Sequence, residues 1–330
     1  MDKNKLVSII TPCYNGGHCL SRLMDSVIAQ TYRPIEFILV NDGSTDNTRE
    51  LAESYKLRFE ETGILFLIVN QENKGLAGAI NAGLKVFTGD YLCWPDADDY
   101  LEPTSVEDRV NALEEHSEVA VTSSDAYLRD IDNLNVVKGR LSEVQKSLYK
   151  NDPNQFMHLL DSNAIFCSGC HMVRTSMFLD VHPDREIFPA RRGQNWQLLL
   201  PLYYKYKWYY LDKPLYNYVS YPNSMSKGDD SFEKRILRAE EHEEIITESL
   251  KKIEKIQKAD MSGYYSYIRN RYSRTKLTIA YQFRNRTAFM DYYKEKKNSV
   301  GLNRKDRLLY LLIKCPLLDS IAKALHRLKK

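Results

Sequence analysis

The chain has 330 residues, 43% hydrophobic and 28% charged, and it includes 23 tyrosines and 11 phenylalanines. That composition excludes a disordered polymer and is enough for one sizeable core plus an appendage. The net charge of +3 hides an asymmetry: residues 251–330 hold 21 Lys and Arg against 6 Asp and Glu, so the rest of the chain is net acidic.

Leu6 to Thr11 is a short β-branched run, as in a strand buried on both faces. The polar residues before it lack the apolar stretch of a secretory signal. From Leu20 to Ala29, Leu20, Leu23, Met24, Val27 and Ile28 fall at helical spacing. A second strand, Ile35 to Val40, closes on Asn41-Asp42-Gly43, and Ser44 or Thr45 can cap a helix over Thr48 to Phe59. Ile64 to Val69 predicts a third strand and Gly75 to Val86 a third helix. Tyr91 to Trp94 is a short fourth strand ending in Pro95-Asp96-Ala97-Asp98-Asp99. A helix over Pro103 to His116 and a strand from Val119 to Thr122 follow. Strands alternating with helices predict an α/β, Rossmann-like fold with a mostly parallel central sheet. Ligands of such sheets bind beyond the carboxyl ends of the strands. Cys13-Tyr14-Asn15, Asn41-Asp42-Gly43 and Asp96 to Asp99 each follow a strand, so they are expected to converge on one edge.

Arg129 to Asn154 is polar and reads as loops, and Asn163 to Val173 is apolar with a Ser-Gly break. Gln194 to Tyr204 predicts a helix and Trp208 to Tyr218 an aromatic strand. The turn-rich stretch Pro222 to Asp230 divides the chain into an α/β domain, 1–225, and a helical basic region, 226–330. Amphipathic helices are expected over Phe232 to Ile256 and Tyr264 to Tyr293, then a Leu-rich basic tail. No stretch reaches the roughly 20 apolar residues of a membrane-spanning helix. The six cysteines lie in or beside apolar runs and read as buried reduced thiols. Cys167 and Cys170 form a CxxC pair, but no second pair completes a zinc site. A cytoplasmic protein fits these features.

Asp96, Asp98 and Asp99 carry the chemistry. Three carboxylates in four residues repel one another unless a cation or a hydrogen-bond network holds them. A hard ion such as Mg2+ or Mn2+ prefers carboxylate and phosphate oxygens, and it can neutralise a departing nucleoside diphosphate. The alternative is a solvated acidic turn capping the next helix. Asp42 can bind a base N–H or a ribose hydroxyl, or form an Asx-turn. Asn73-Lys74-Gly75 opens a helix whose free N–H groups can lie against a nucleotide. His171, on an apolar stretch, reads as a buried core histidine. No phosphate-loop or GxGxxG signature is present.

The blocks VSIITPCYNGG, IEFILVNDGSTDNT and NKGLAGAINAGLKVFTGDYLCWPDADD, in this order and spacing, resemble the family 2 glycosyltransferases of GT-A fold. The resemblance covers residues 5–125 strongly and 160–220 weakly. It implies inverting transfer of a sugar from a nucleotide-sugar donor, usually UDP-linked, with Mn2+ or Mg2+ as cofactor. The implied acceptor is a saccharide or lipid-linked saccharide of the cell surface, and nucleic acid is not an expected partner. By position, Pro12, Tyr14 and Asp42 line the base and ribose pocket, and Asn73, Gly75 and Asn81 add nucleotide contacts. Asp96 and Asp98 match the metal-binding Asp-x-Asp, with Asp98 the direct ligand and Asp96 also beside the nucleotide.

One departure stands out. Where the family carries Gly-Glu-Asp-Trp, this chain has Gly193-Gln194-Asn195-Trp196, and an amide takes no proton at neutral pH. Asp180, Asp184 and Glu186, just before this segment, are the expected substitutes for the general base, with Asn195 holding the acceptor or capping the helix. Two other readings remain: a sugar-nucleotide-binding protein without turnover, and a nucleotidyltransferase releasing pyrophosphate. The basic, leucine-rich residues 304–330 are expected to rest on the anionic inner face of a membrane, or to pack on the helices before them.

Overall fold

The structure, a computed structural model, describes residues 5–144, 150–221 and 228–315. Within them the chain forms two compact units. One covers the residues up to 221 together with 255–258, and the other covers 228–254 and 259–315.

The first unit begins with β1 (Val7–Cys13), α1 (Leu20–Ile28), β2 (Ile35–Asp42), α2 (Thr48–Ser54), α3 (Lys56–Glu61), β3 (Leu65–Gln71), α4 (Gly75–Val86) and β4 (Tyr91–Cys93). It continues through β5 (Tyr100–Leu101), α5 (Ser105–Glu115), β6 (Val119–Asp130), β7 (Gly139–Arg140), α6 (Leu141–Val144) and α7 (Gln155–Leu160). It closes with β8 (His171–Arg174), α8 (Thr175–Val181), α9 (Gln194–Lys205) and β9 (Lys207–Ser220). The strands make one sheet in the order β3-β2-β1-β4-β8-β6-β9-β5, with β7 on β6.

β3, β2, β1 and β4 pair in parallel, as the alternation of strand and helix predicts. Beyond β4 the sheet is mixed: β8 runs antiparallel to β4 and β6, β9 is parallel to β6, and β5 is antiparallel to β9. Every residue of β2 is buried, which explains its unbroken apolar run. α1 buries Leu20, Leu23, Met24 and Val27 beneath the sheet's core cluster. Each such side chain contributes about 1.5–3 kcal/mol on leaving water.

The structure differs from the expected elements in three places. The helix expected over Thr48 to Phe59 breaks at Tyr55, whose N–H turns to Ala52 O (3.1 Å) and whose hydroxyl meets Asp25 Oδ1 (3.1 Å). The polar stretch after Arg129 carries the end of β6, then β7 and α6, a solvent-facing hairpin that needs few apolar residues. The expected helix from Tyr264 to Tyr293 is two helices, because Arg284 adopts φ +56° and Asn285 caps the second by accepting from Ala288 N at 3.1 Å.

The second unit contains most of α10 (Phe232–Gln257), then α11 (Ser262–Gln282), α12 (Arg286–Ser299) and α13 (Arg304–Lys314). Leu277, Ala280, Phe289 and Ile313 form its core. Lys296 and Asp306 are wholly buried there. The Lys296 ammonium donates to Asn270 and lies 3.8 Å from Asp306 Oδ2, while Arg274 Nε binds Asp306 Oδ1 at 3.2 Å. Asn303 and Asp306 cap α13 reciprocally.

Of the tail's expected apolar surface, Leu309 and Ile313 pack inward, as does Tyr310 between them, while Leu308 and Leu311 are more than half exposed. Residues 316–330 of the tail and 222–227 of the expected boundary lie outside the described residues. No described helix is long and apolar enough to cross a membrane.

Candidate functional site at the carboxyl edge of the sheet

β4 delivers the acidic turn to the edge where β1, β2 and β3 end. Asp96 is half-buried: its N–H donates to Tyr216 Oη at 3.1 Å, and its Oδ2 accepts from Ser168 Oγ at 2.5 Å. Asp98 is also half-buried, and its main-chain carbonyl accepts from Arg22 Nη2 and from Tyr221 Oη at 3.4 Å. Asp99 is buried and bound through Oδ1 to Val219 N–H at 2.7 Å.

Burial pushes the Asp96 carboxyl up to about 7, and the neighbouring Asp98 charge adds to it. Burial likewise raises Asp98, and it raises Asp99 well above the carboxylate range, helped by the Asp98 and Asp96 charges. Three acids held this way are a site short of positive charge. Their oxygens are the donor type that a hard divalent cation prefers. No group of three or more potential metal-binding side chains converges among the described residues. The carboxylates of Asp96 and Asp98 suit such an ion by donor type, and the described residues by themselves close no cage around one.

The loops after β1, β2 and β3 are laced together. Asn15 Oδ1 accepts from Thr45 N (2.8 Å), Asn15 N donates to Ser44 Oγ (2.9 Å), and Gly17 N donates to Asp46 Oδ2 (3.0 Å). Asp42 is buried, and its Oδ1 accepts from Gln71 Nε2 (2.6 Å) and Lys74 N (2.8 Å), joining β2, β3 and the start of α4. Gly43, at φ +72°, lets this loop approach so closely that a Cβ there would lie 2.7 Å from Asn73 N. Pro12 is half-buried at the end of β1, and Tyr14 projects into solvent. Asn73 is exposed and accepts from Gly75 N at 3.2 Å, while Gly75, at φ +72°, opens α4 with nothing within 4 Å of its missing Cβ.

Pro12, Tyr14, Asp42, Asn73 and Gly75 thus gather with Asp96 and Asp98 at one edge. Asn81 does not join them. Both sides of its amide pair with the Ile187 backbone, Nδ2 to O at 2.9 Å and Oδ1 from N at 2.8 Å. This pairing braces the 187 segment against α4.

Asn195 does reach the site's floor. It is buried at the start of α9, after Gly193 at φ +79°, and its Oδ1 accepts from Trp94 Nε1 at 2.9 Å, two residues before Asp96. Trp196 is core, bound to Leu159 O at 2.9 Å and packed on Phe166.

The three expected base candidates pair away from Asn195. Asp180 pairs with Lys205 Nζ (2.5 Å) and Tyr206 Oη (2.7 Å), beyond the last turn of α9. That is ten residues, about 15 Å along the helix, from Asn195. The Lys205 and Tyr206 hydrogen bonds also pull the Asp180 carboxyl below its ordinary value. Glu186 pairs with Lys85 (2.6 Å) near the C-terminal end of α4, where Arg185 binds Leu84 O and Phe87 O. Asp184 is exposed and accepts from Glu186 N at 3.3 Å. The segment before Gly193 thus docks against helix ends, Asp180 at the end of α9 and Arg185 and Glu186 at the end of α4.

Ser168, Tyr216, Tyr221 and Arg22 hold the acidic turn, and sequence reasoning did not single them out. The Ser-Gly break was the legible signal: a Cβ on Gly169 would lie 2.0 Å from the Tyr216 ring. His171 is a core residue, wholly buried, with Nδ1 2.9 Å from Ser123 Oγ and its ring stacked on Trp94. Cys167 and Cys170 are buried and free.

The chain is similar to proteins of known class. It aligns with YibD, an uncharacterized glycosyltransferase of Escherichia coli (strain K12), at 37% identity over 39% of this chain and 37% of that protein. With EpsE of Bacillus subtilis (strain 168) the identity is 28% over 71% of this chain and 78% of that protein. The chain spans only about a third or less of several curated relatives it matches, 16% in the case of glycosyltransferase GlyA of Streptococcus pneumoniae.

Among solved structures, S. aureus TarS 1–349 in complex with UDP-GlcNAc superposes with a TM-score of 0.56 at 17% identity, covering 91% of this chain and 93% of that one. Mannosyltransferase PcManGT from Pyrobaculum calidifontis, in complex with GDP-Man and Mn2+, gives 0.53 at 15%, covering 98% and 81%. These likenesses establish the fold, a GT-A arrangement with a helical C-terminal region. The model of glycosyl transferase family 2 matches residues 8–181, more than half of the sequence and the span from the second residue of β1 to the end of α8, and the chain belongs to that family.

Proposed function

We propose that this chain is an inverting glycosyltransferase that moves a sugar from a nucleotide-sugar donor, most simply a UDP-sugar, to a saccharide or lipid-linked saccharide acceptor in cell-surface polysaccharide synthesis. The observation that carries the reading is the Asp96–Asp98 turn, held half-buried and short of positive charge beside the laced loops of β1, β2 and β3. The relatives' named activity and the donors bound by TarS and PcManGT support it.

In this reading Pro12, Tyr14 and Asp42 receive the base and ribose, Asn73 and Gly75 border the diphosphate, and Asp96 and Asp98 hold Mn2+ or Mg2+. The bound ion would neutralise charge on the departing diphosphate. Asp42, already fixed by Gln71 and Lys74, can present its second oxygen without further ordering. Asn195 orients instead of taking a proton, and Asp180, Asp184 and Glu186 have no part in the chemistry. Residues 1–225 would act as the donor-binding domain and 226–330 as the helical region. The exposed Leu308 and Leu311 of α13, flanked by Arg304, Arg307 and Lys314, would rest on an anionic leaflet, placing a cytoplasmic enzyme peripherally on the inner membrane.

The amide at Asn195 favours one second reading, a protein that binds sugar nucleotides without turnover. Incubation with UDP- and GDP-sugars, Mn2+ and an acceptor extract separates the outcomes. Release of the nucleoside diphosphate supports transfer. Binding without release supports the second reading, and pyrophosphate release refutes both.

A further inference from the structure

α1 carries a polar stripe at four-residue spacing: Arg22, Ser26 and, just past its end, Gln30. All three side chains reach across to the acidic turn or the chain that follows it. Arg22 Nη2 donates to Asp98 O, Ser26 Oγ accepts from Leu101 N at 3.1 Å, and Gln30 Nε2 donates to Glu102 O at 2.8 Å while its Oε1 accepts from Val106 N at 3.0 Å. From the other side, β9 and the residue after it grip the same turn. Tyr216 Oη accepts from Asp96 N–H, Val219 N–H donates to Asp99 Oδ1, and Tyr221 Oη donates to Asp98 O. Arg22 also donates to Tyr221 Oη at 2.8 Å, closing a triangle of Arg22, Tyr221 and the Asp98 carbonyl.

Neither Arg22 nor Tyr221 takes a side-chain oxygen of Asp98 among these hydrogen bonds. Both hold its main chain, which fixes the direction in which the carboxylate leaves the backbone. The Arg22 guanidinium is itself steadied by the face of the Tyr100 ring, 5.7 Å away.

We propose that Arg22 is a positioning residue for the acidic turn: with Tyr221 as its partner, it fixes the Asp98 main chain so that the Asp96 and Asp98 carboxylates converge on one cation. The proposal rests on the reading of Asp96 and Asp98 as metal ligands.

The test measures Mn2+ binding to the full chain by calorimetry in the presence of UDP, with amide hydrogen exchange across residues 98–102 as a second readout. Arg22→Met is expected to weaken Mn2+ about 10–100-fold, the usual size for loss of a residue that orients a ligand. UDP binding in EDTA is expected to stay within about twofold, and exchange at 98–102 to accelerate while other core amides keep their protection. Tyr221→Phe removes the second donor and is expected to weaken Mn2+ less. Arg22→Lys keeps the charge but loses the fork, so its affinity falls between wild type and Arg22→Met; it also serves if Arg22→Met does not fold. Mn2+ affinity within about twofold of wild type in Arg22→Met and Arg22→Lys overturns the proposal alone. No Mn2+ uptake by the wild type overturns the metal reading, and the proposal with it.

Discussion

Gly169 offers a sharp test of how the core supports the site. It lies in the short 3₁₀ turn Ser168–Cys170, and an alanine Cβ there would sit 2.0 Å from a carbon of the Tyr216 ring. Ordinary carbon contacts begin at about 3.5 Å, so the ring would have to retreat by roughly 1.5 Å. Tyr216 is wholly buried, so its ring can retreat only against its neighbours. The retreat would also break the 3.1 Å hydrogen bond between its hydroxyl and Asp96 N–H. Overpacking of this kind costs about 1–3 kcal/mol and the lost hydrogen bond about 1 more, so Gly169→Ala is expected to destabilise the first unit by about 2–4 kcal/mol. Urea unfolding followed by near-ultraviolet circular dichroism measures it, with an unchanged m-value showing that only stability has moved. Adding Tyr216→Leu to Gly169→Ala should recover part of the loss by removing the obstructing ring. A Gly169→Ala protein within about 0.5 kcal/mol of wild type would refute the close approach described here.

Asp98→Asn is expected to abolish metal-dependent donor binding and transfer while leaving the unfolding midpoint nearly unchanged; full activity in EDTA would defeat the metal assignment. Changing Asp180, Asp184 and Glu186 together to amides should leave kcat within about tenfold of wild type, whereas general-base loss costs about 10²–10⁴-fold. Burial holds the His171 imidazole down to about 3 in the folded chain, against an ordinary value of 6.5. Its contribution is therefore complete above pH 6.5 and falls as pH drops, by up to about 1.4 kcal/mol per pH unit, so stability should decline more steeply from pH 7 to 5 in wild type than in His171→Gln. Leu308→Gln with Leu311→Gln should abolish flotation with anionic liposomes at low salt without unfolding α13, since both side chains are more than half exposed; wild type failing to float would refute the membrane reading.

Local pattern was informative where burial is two-sided and the chain is regular. The runs of β1 and β2, the spacing of α1 and the acidic turn after β4 were all legible, because each is defined within a few residues. Strand direction beyond β4 was not, because a β8 of four residues carries no mark of which neighbour it will meet. The grip on the acidic turn was also hidden. Arg22, Tyr216 and Tyr221 lie 76, 120 and 123 positions from their partners, and as a helix arginine, a strand tyrosine and a tyrosine just past the strand they resemble any others. Asp180, Asp184 and Glu186 show the converse: a short separation along the chain says little about where side chains settle, since Asp180 pairs at the far end of α9 and Glu186 at the end of α4.

The buried Lys296 and Asp306 of the helical unit have a consequence for how that unit can assemble. Apolar faces of helices tolerate sliding, since one leucine can replace another in a groove. The Lys296 ammonium cannot slide, because its acceptor Asn270 and its counter-charge Asp306 belong to α11 and α13, and a shift of one turn would strand a charge in the interior. With Arg274 holding the other Asp306 oxygen, the three helices share a single permitted alignment, a key cut in charge rather than in shape.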